Sequence, residues 1–206
     1  KIITKMHKLI SILLVIGAYS VISLPAFAQN DSISTYDGWI TASFDALDED
    51  NNQRAEQCLK NAMRLEPANP QNGLLFVNLG TIQRRLGKLQ DAEISYTCAI
   101  SLLDENTVAY STRASLYAEI EQYQKAIDDY SVVISRNPED EDALYERALC
   151  RLMNNDTIGA RLDLETIDKF NPKSAKSRLG MAMVYKAMGE NAMAVELSAA
   201  LIKANP

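Results

Sequence analysis

The stretch TVAYSTRASLYAEIEQYQKAIDDYSVVISRNPED, residues 107–140, decides the fold, because the next 34 residues repeat its punctuation. Ala114 returns as Ala148, Ala126 as Ala160, and Pro138 as Pro172. Working outward, Ala92, Ala126, Ala160 and Ala194 stand 34 residues apart. So do Gly80, Ala114, Ala148 and Ala182, and so do Pro138, Pro172 and Pro206. Three series with one period identify an internal repeat array. Within each period the apolar residues recur at helical spacing, so each unit reads as two amphipathic helices joined by a tight turn. A small residue in the first helix and the Ala of the second allow close approach, and a large side chain such as Tyr96 or Tyr130 fills the remaining space. Gly87 and Gly189 suit a left-handed stop between the paired helices, and Asn155 tolerates it. Proline ends the second helix and sets up the next unit.

Phe76-x2-Leu79-Gly80-x2-Gln83, followed by Gly87, Ala92, Tyr96 and Ala99, resembles the tetratricopeptide repeat, a 34-residue helix–turn–helix unit. Tyr110, Ala114, Tyr117, Ala126, Tyr130 and Pro138 continue the likeness, then Leu144, Ala148, Ala160, Leu164 and Pro172. Met181, Ala182, Tyr185, Gly189, Ala194 and Pro206 carry it into a last unit. An earlier unit is out of phase: Ala55 to Ala92 is 37 residues, which places a three-residue insertion around Pro70 to Asn72 and aligns Trp39 with the family's preferred Trp. Ser43 replaces the usual Gly or Ala, Asp104 the usual Pro, and Arg113 and Arg147 stand where Leu is common. The expected organisation is residues 1–28 as a signal peptide, 29–35 as a linker and 36–206 as repeats, with units at about 36–69, 73–106, 107–140, 141–174 and 175–206.

The resemblance implies an all-α, right-handed superhelical solenoid of antiparallel helix hairpins, about five repeats long. It also implies a concave groove lined by the first helix of each unit, which receives an extended peptide or a partner helix. Counting along those helices gives the groove candidates. The early ones are Ile40 and Phe44, then Val77, Asn78, Thr81, Arg84 and Arg85. Ser111, Ser115 and Glu119 follow, then Asp142, Tyr145 and Leu149, and finally Lys176, Met183 and Lys186. Aromatic and aliphatic anchors beside the Arg84–Arg85 pair suit a partner that carries a carboxylate. Some family members clamp a C-terminal carboxylate with Lys and Asn from three successive first helices. Asn78 is well placed for this, but Ile40 and Phe44 precede it and Val108 and Thr112 follow, so two of three helices lack the cations.

The N-terminus reads as an export signal. Lys5 and Lys8 flank Met6, an apolar run extends from Leu9 to Leu24, and Ala26-Phe27-Ala28 offers a cleavage site before Gln29. The run is short for a membrane span of about 20 residues, which an uncleaved anchor would need. A periplasmic or secreted location follows. Beyond residue 28 the chain holds 18 cations against 27 acids, net −9, which disfavours nucleic acid as a partner. The three cysteines Cys58, Cys98 and Cys150 form no Cys-x-x-Cys pair and read as small apolar helix residues, with Cys58–Cys98 the pairing to check.

Catalysis has little to work with. The only histidine, His7, lies in the leader, and no phosphate loop, nucleophile elbow or metal-spaced cysteine set is present. No catalytic residue, cofactor or metal is therefore expected. The acidic stretches Asp45 to Asp50, Asp128-Asp129 and Glu139 to Asp142 read as solvated or capping groups. Asn30-Asp31-Ser32 and Asn155-Asp156-Thr157 fit short glycosylation triplets. The apolar run Ala192 to Ile202 implies an edge covered by a partner, a second copy or further sequence. The reading that follows is a non-catalytic, exported protein–protein interaction scaffold. The alternative is a docking or regulatory module of a larger cell-envelope enzyme or secretion complex.

Overall fold

The computed structural model of the chain describes residues 33–103 and 105–204. The leader with His7, the Asn30-Asp31-Ser32 triplet, Asp104 and Pro206 lie outside the described residues. Among the described residues there are ten helices and no strand. They are α1 (Tyr36–Asp48), α2 (Asn52–Leu65), α3 (Asn72–Arg85), α4 (Leu89–Leu102) and α5 (Thr107–Glu119). Then come α6 (Tyr123–Arg136), α7 (Glu141–Met153), α8 (Thr157–Phe170), α9 (Ala175–Ala187) and α10 (Asn191–Ala204). Successive pairs form five hairpins, so the chain is all-α, as the repeat pattern predicts.

One device ends every first helix. Asp50, Gly87, Glu121, Asn155 and Gly189 all have positive φ, at 54°, 72°, 60°, 62° and 81°. In each turn the next residue's N–H closes a six-residue loop, as Asn51 does onto Ala46, Lys88 onto Gln83 and Gln122 onto Tyr117, at 2.7–2.8 Å. This is the Schellman stop, which satisfies carbonyls the helix leaves open. Side chains cap several helix starts: Thr35, Asn51, Asp140, Asp156 and Ser174 each accept from the N–H three residues on, at 2.9–3.1 Å. Each such cap is worth about 1 kcal/mol. Asp140 is thus the capping acid expected after Pro138.

The chain divides into two compact units, the first reaching Ala109 and the second starting at Tyr110. The first unit has its own core, in which Leu59 and Met63 of α2 meet Phe76, Leu79 and Ile82 of α3. The insertion falls in the 66–71 connector and the first turn of α3. Buried Asn72 secures it: its amide donates to the Glu66 and Pro67 carbonyls (2.8 and 3.2 Å) and its Oδ1 accepts from the Tyr36 hydroxyl (2.9 Å). Burial, with Glu66 and Asp37 nearby, pushes the Tyr36 pKa up to about 12. Ser43 fits where Gly or Ala is usual because its hydroxyl turns back to the Ile40 carbonyl at 2.6 Å.

The second unit packs around two clusters. Tyr117, Ala126, Tyr130 and Val133 anchor one; Leu144, Leu164, Ile167 and Val184 anchor the other. Arg113 and Arg147 are explained here. Arg113 forms a two-bond ion pair with Asp129 (2.8 and 2.8 Å), and Arg147 forms one with Asp163 (3.0 and 2.6 Å). Asp129 is therefore buried and paired, which corrects the expectation that Asp128-Asp129 is simply solvated. Cys58, Cys98 and Cys150 are all buried and outside any disulfide, so Cys58 and Cys98 are not bridged. Burial pushes the Cys98 and Cys150 thiols up to about 11, as suits inert packing residues.

Candidate functional site

Within the first unit the first helices α1 and α3 border a cleft of about 160 Å³. Its apolar wall comes from Phe44 and Leu47 of α1, Leu59 of α2 and Ile82 of α3. Ser43, Asn78, Thr81 and Arg85 complete it. The helical period produces this set: Asn78, Thr81, Ile82 and Arg85 are three or four residues apart and share one stripe of α3. Thr81 is fixed from behind, its hydroxyl donating to the Val77 carbonyl at 3.0 Å and meeting the Tyr96 hydroxyl at 3.3 Å. Phe44 is 52% exposed although it is a large aromatic. Arg85 is exposed in the last turn of α3, and among the described residues it makes no ion pair.

Four sequence-predicted residues, Phe44, Asn78, Thr81 and Arg85, thus converge on one cleft. Val77 does not join them. It is 8% exposed and belongs to the core, because the stripe toward α1 begins one residue later, at Asn78. Arg84 is half-buried, does not line the cleft and has a partner of its own. Leu47, Leu59 and Ile82 were not anticipated as lining residues. Leu59 sits on a second helix, which counting along first helices cannot reach, whereas Leu47 follows Phe44 by three residues and the same counting could have found it.

In the second unit the predicted residues are engaged differently. The Ser115 hydroxyl donates to the Ser111 carbonyl and meets the Tyr130 hydroxyl, both at 3.0 Å, repeating the Thr81–Tyr96 pair one period on. Tyr145 packs half-buried against the Leu144 and Leu164 cluster, and burial, followed by Glu146, raises its pKa. Leu149 is half-buried and Met183 is 41% exposed. On the same helices Lys176 of α9 pairs with Asp142 of α7. A second cleft, of about 220 Å³, lies among α8, α9 and α10 and includes Arg178, Met181, Tyr185 and Met193. Ser111, Ser115, Tyr145, Leu149 and Met183 line neither cleft. Among the described residues no three His, Cys, Asp or Glu side chains are grouped to hold a metal ion, and no helix is long and apolar enough to cross a membrane.

Comparison with known proteins agrees with this architecture. The family model described as "Tetratricopeptide repeat" matches residues 111–175. A crystal structure of a tetratricopeptide repeat protein from Parabacteroides merdae is 42% identical, with a TM-score of 0.79 over 82% of this chain and 66% of that one. DnaJ homolog subfamily C member 7 of Homo sapiens is 37% identical over 89 residues, which is 43% of this chain and 18% of that protein. The first TPR of Spaghetti (RPAP3), solved bound to HSP90 peptide SRMEEVD, is 21% identical with a TM-score of 0.54, covering 59% of this chain and 96% of that one; it shares the fold. The chain spans 14–18% of the length of the curated relatives it matches. With five hairpins stopped by the same left-handed turn, and with the repeat matched in both sequence and structure, the chain belongs to the tetratricopeptide repeat family.

Proposed function

We propose that this chain is a non-catalytic interaction scaffold, exported from the cytoplasm, that holds a peptide or partner helix against its first helices. The carrying observation is the cleft of the first unit, where an exposed Phe44 ring, an Asn78 amide and an Arg85 guanidinium border an apolar floor. A large exposed aromatic beside an amide and a guanidinium that makes no ion pair among the described residues is the composition of a binding hot spot. The peptide held by the first TPR of RPAP3 supports the same use of the fold. Photo-crosslinking from position 44 or 78 in the native cell, with exposed Gln57 of α2 as control, tests it. Specific protein adducts from 44 and 78 but not 57 are expected; indistinguishable adduct patterns from all three would defeat the reading.

Export rests on the leader over residues 1–28. N-terminal sequencing of the mature product should begin at Gln29, and an intact leader in the cytoplasmic fraction would refute it. A second reading, a docking or regulatory module of a larger cell-envelope enzyme or secretion complex, draws on the relatives, in which the matched stretch is a minor part of the whole.

A further inference from the structure

We infer that the first-unit cleft selects an internal peptide segment carrying one large apolar side chain with a single Asp or Glu side chain one or two residues away. This rests on the reading of that face as a docking surface and names its ligand. Size is the first argument. A cleft of about 160 Å³ walled by Phe44, Leu47, Leu59 and Ile82 matches the roughly 150 Å³ apolar cavity that accepts benzene. It holds one Phe, Leu or Met side chain and no more.

Charge is the second. Arg85 lines the rim, exposed and without an ion pair among the described residues. It lies one helical turn beyond the centre of the cleft at Thr81 and Ile82, a distance of about 5 Å. An extended peptide covers that in one or two residues. A guanidinium there pairs with a carboxylate through two parallel bonds, which a neutral amide cannot match.

The rest of the lining limits the number of acids. On the α1 side the lining is Ser43, Phe44 and Leu47, none of them a cation, and Arg85 is the one charged side chain that lines the cleft. A second ligand carboxylate would find no further cation on this lining, since Arg84 lies off it and is already engaged. The carboxylate is a side chain, because the first helices lack the set of cations that clamps a chain terminus.

The test uses the full chain and fluorescence-labelled eight-residue peptides, acetylated and amidated, in a Gly/Ser background. Each carries one Phe with Glu, Gln or Lys two residues away, and one further peptide carries two Glu. The Glu peptide should bind at least tenfold more tightly than the Gln peptide, and the second Glu should add nothing. Arg85→Glu should reverse the order in favour of Lys, while Phe44→Ala should weaken all the peptides alike. Both residues are exposed, so both variants should keep the parent's circular dichroism. Equal binding of Glu and Gln peptides, with Arg85→Glu silent and Phe44→Ala still damaging, would overturn the acidic preference and leave the docking face standing. Binding only by peptides with a free C-terminus would overturn the side-chain source. Binding that no cleft variant alters would overturn both the preference and the docking face.

Discussion

Arg113 sits one period after Leu79, and its partner Asp129 one period after Ser95. The second hairpin thus fills with a neutral pair the place that the third fills with a charged one. Arg113 also lies over the Tyr110 and Tyr117 rings, at 6.0 and 5.7 Å, so its charge is spread over several partners. Removing Asp129 strands a half-buried charge, whereas replacing both halves supplies the Leu and Ser of the second hairpin without the bond that Ser95 donates to Gln83 at 2.6 Å, because Tyr117 stands one period after Gln83. Asp129→Ser should cost about 3–5 kcal/mol, and adding Arg113→Leu should recover all but about 1–2 kcal/mol. Denaturant midpoints of the two variants measure this; a double variant as unstable as the single would refute it. Arg113 and Arg147 were legible as departures from the repeat. Their partners were not, because an acid 16 residues away on another helix looks like any solvated Asp until the helices are paired.

The helix stops show the same boundary of legibility at the level of elements. Gly87 and Gly189, which lack a Cβ, and Asn155, whose short polar side chain tolerates positive φ, announce left-handed turns. Asp50 tolerates the turn as Asn155 does, but Glu121 occupies the same conformation without any such signal, and only the period locates it. The turn there is imposed by the packing of α5 against α6, and the residue accepts strain of about 1 kcal/mol. Glu121→Gly should therefore stabilise the chain by about 0.5–1 kcal/mol, less the flexibility that glycine adds to the unfolded state. A fall in melting temperature would contradict the assignment of strain. Helix existence, order and turn position were all readable from three residue series. The cleft was readable in part: the stripe Asn78, Thr81 and Arg85 follows from helical spacing, but Leu59 enters from a second helix and Val77 turns inward by one residue.

Across the whole molecule, the carboxylates with shifted pKa values set the response to acid. In the first unit Glu56 is 5% exposed. Burial alone would raise its pKa, but hydrogen bonds from Lys60 and Lys88, both at 2.6 Å, outweigh burial and hold it below the ordinary value. Lys88 belongs to the turn after α3, so this carboxylate ties the first hairpin to the second. In the second unit Glu141 is held down by bonds from Asn171 and then Ser174, both at 2.7 Å, which fasten the start of α7 to the connector before α9. A depressed pKa contributes stability that is complete above the unfolded-state value and is lost as pH falls through the folded-state value. Glu146 acts in the opposite sense, since desolvation, seconded by Asp142 against the pull of Lys176, raises its pKa. Acidification from neutrality should thus first raise the melting temperature slightly, as Glu146 takes up its proton. It should then lower the melting temperature below the ordinary carboxylate range, as Glu56 and Glu141 are protonated. Glu56→Gln should cost about 2 kcal/mol at neutral pH and progressively less in acid, because the wild type loses the same interaction there. Calorimetric melting from about pH 8 to pH 3 checks both limbs. If the Glu56→Gln deficit stayed constant to the acid end, the two lysines would not be what holds that carboxylate ionised.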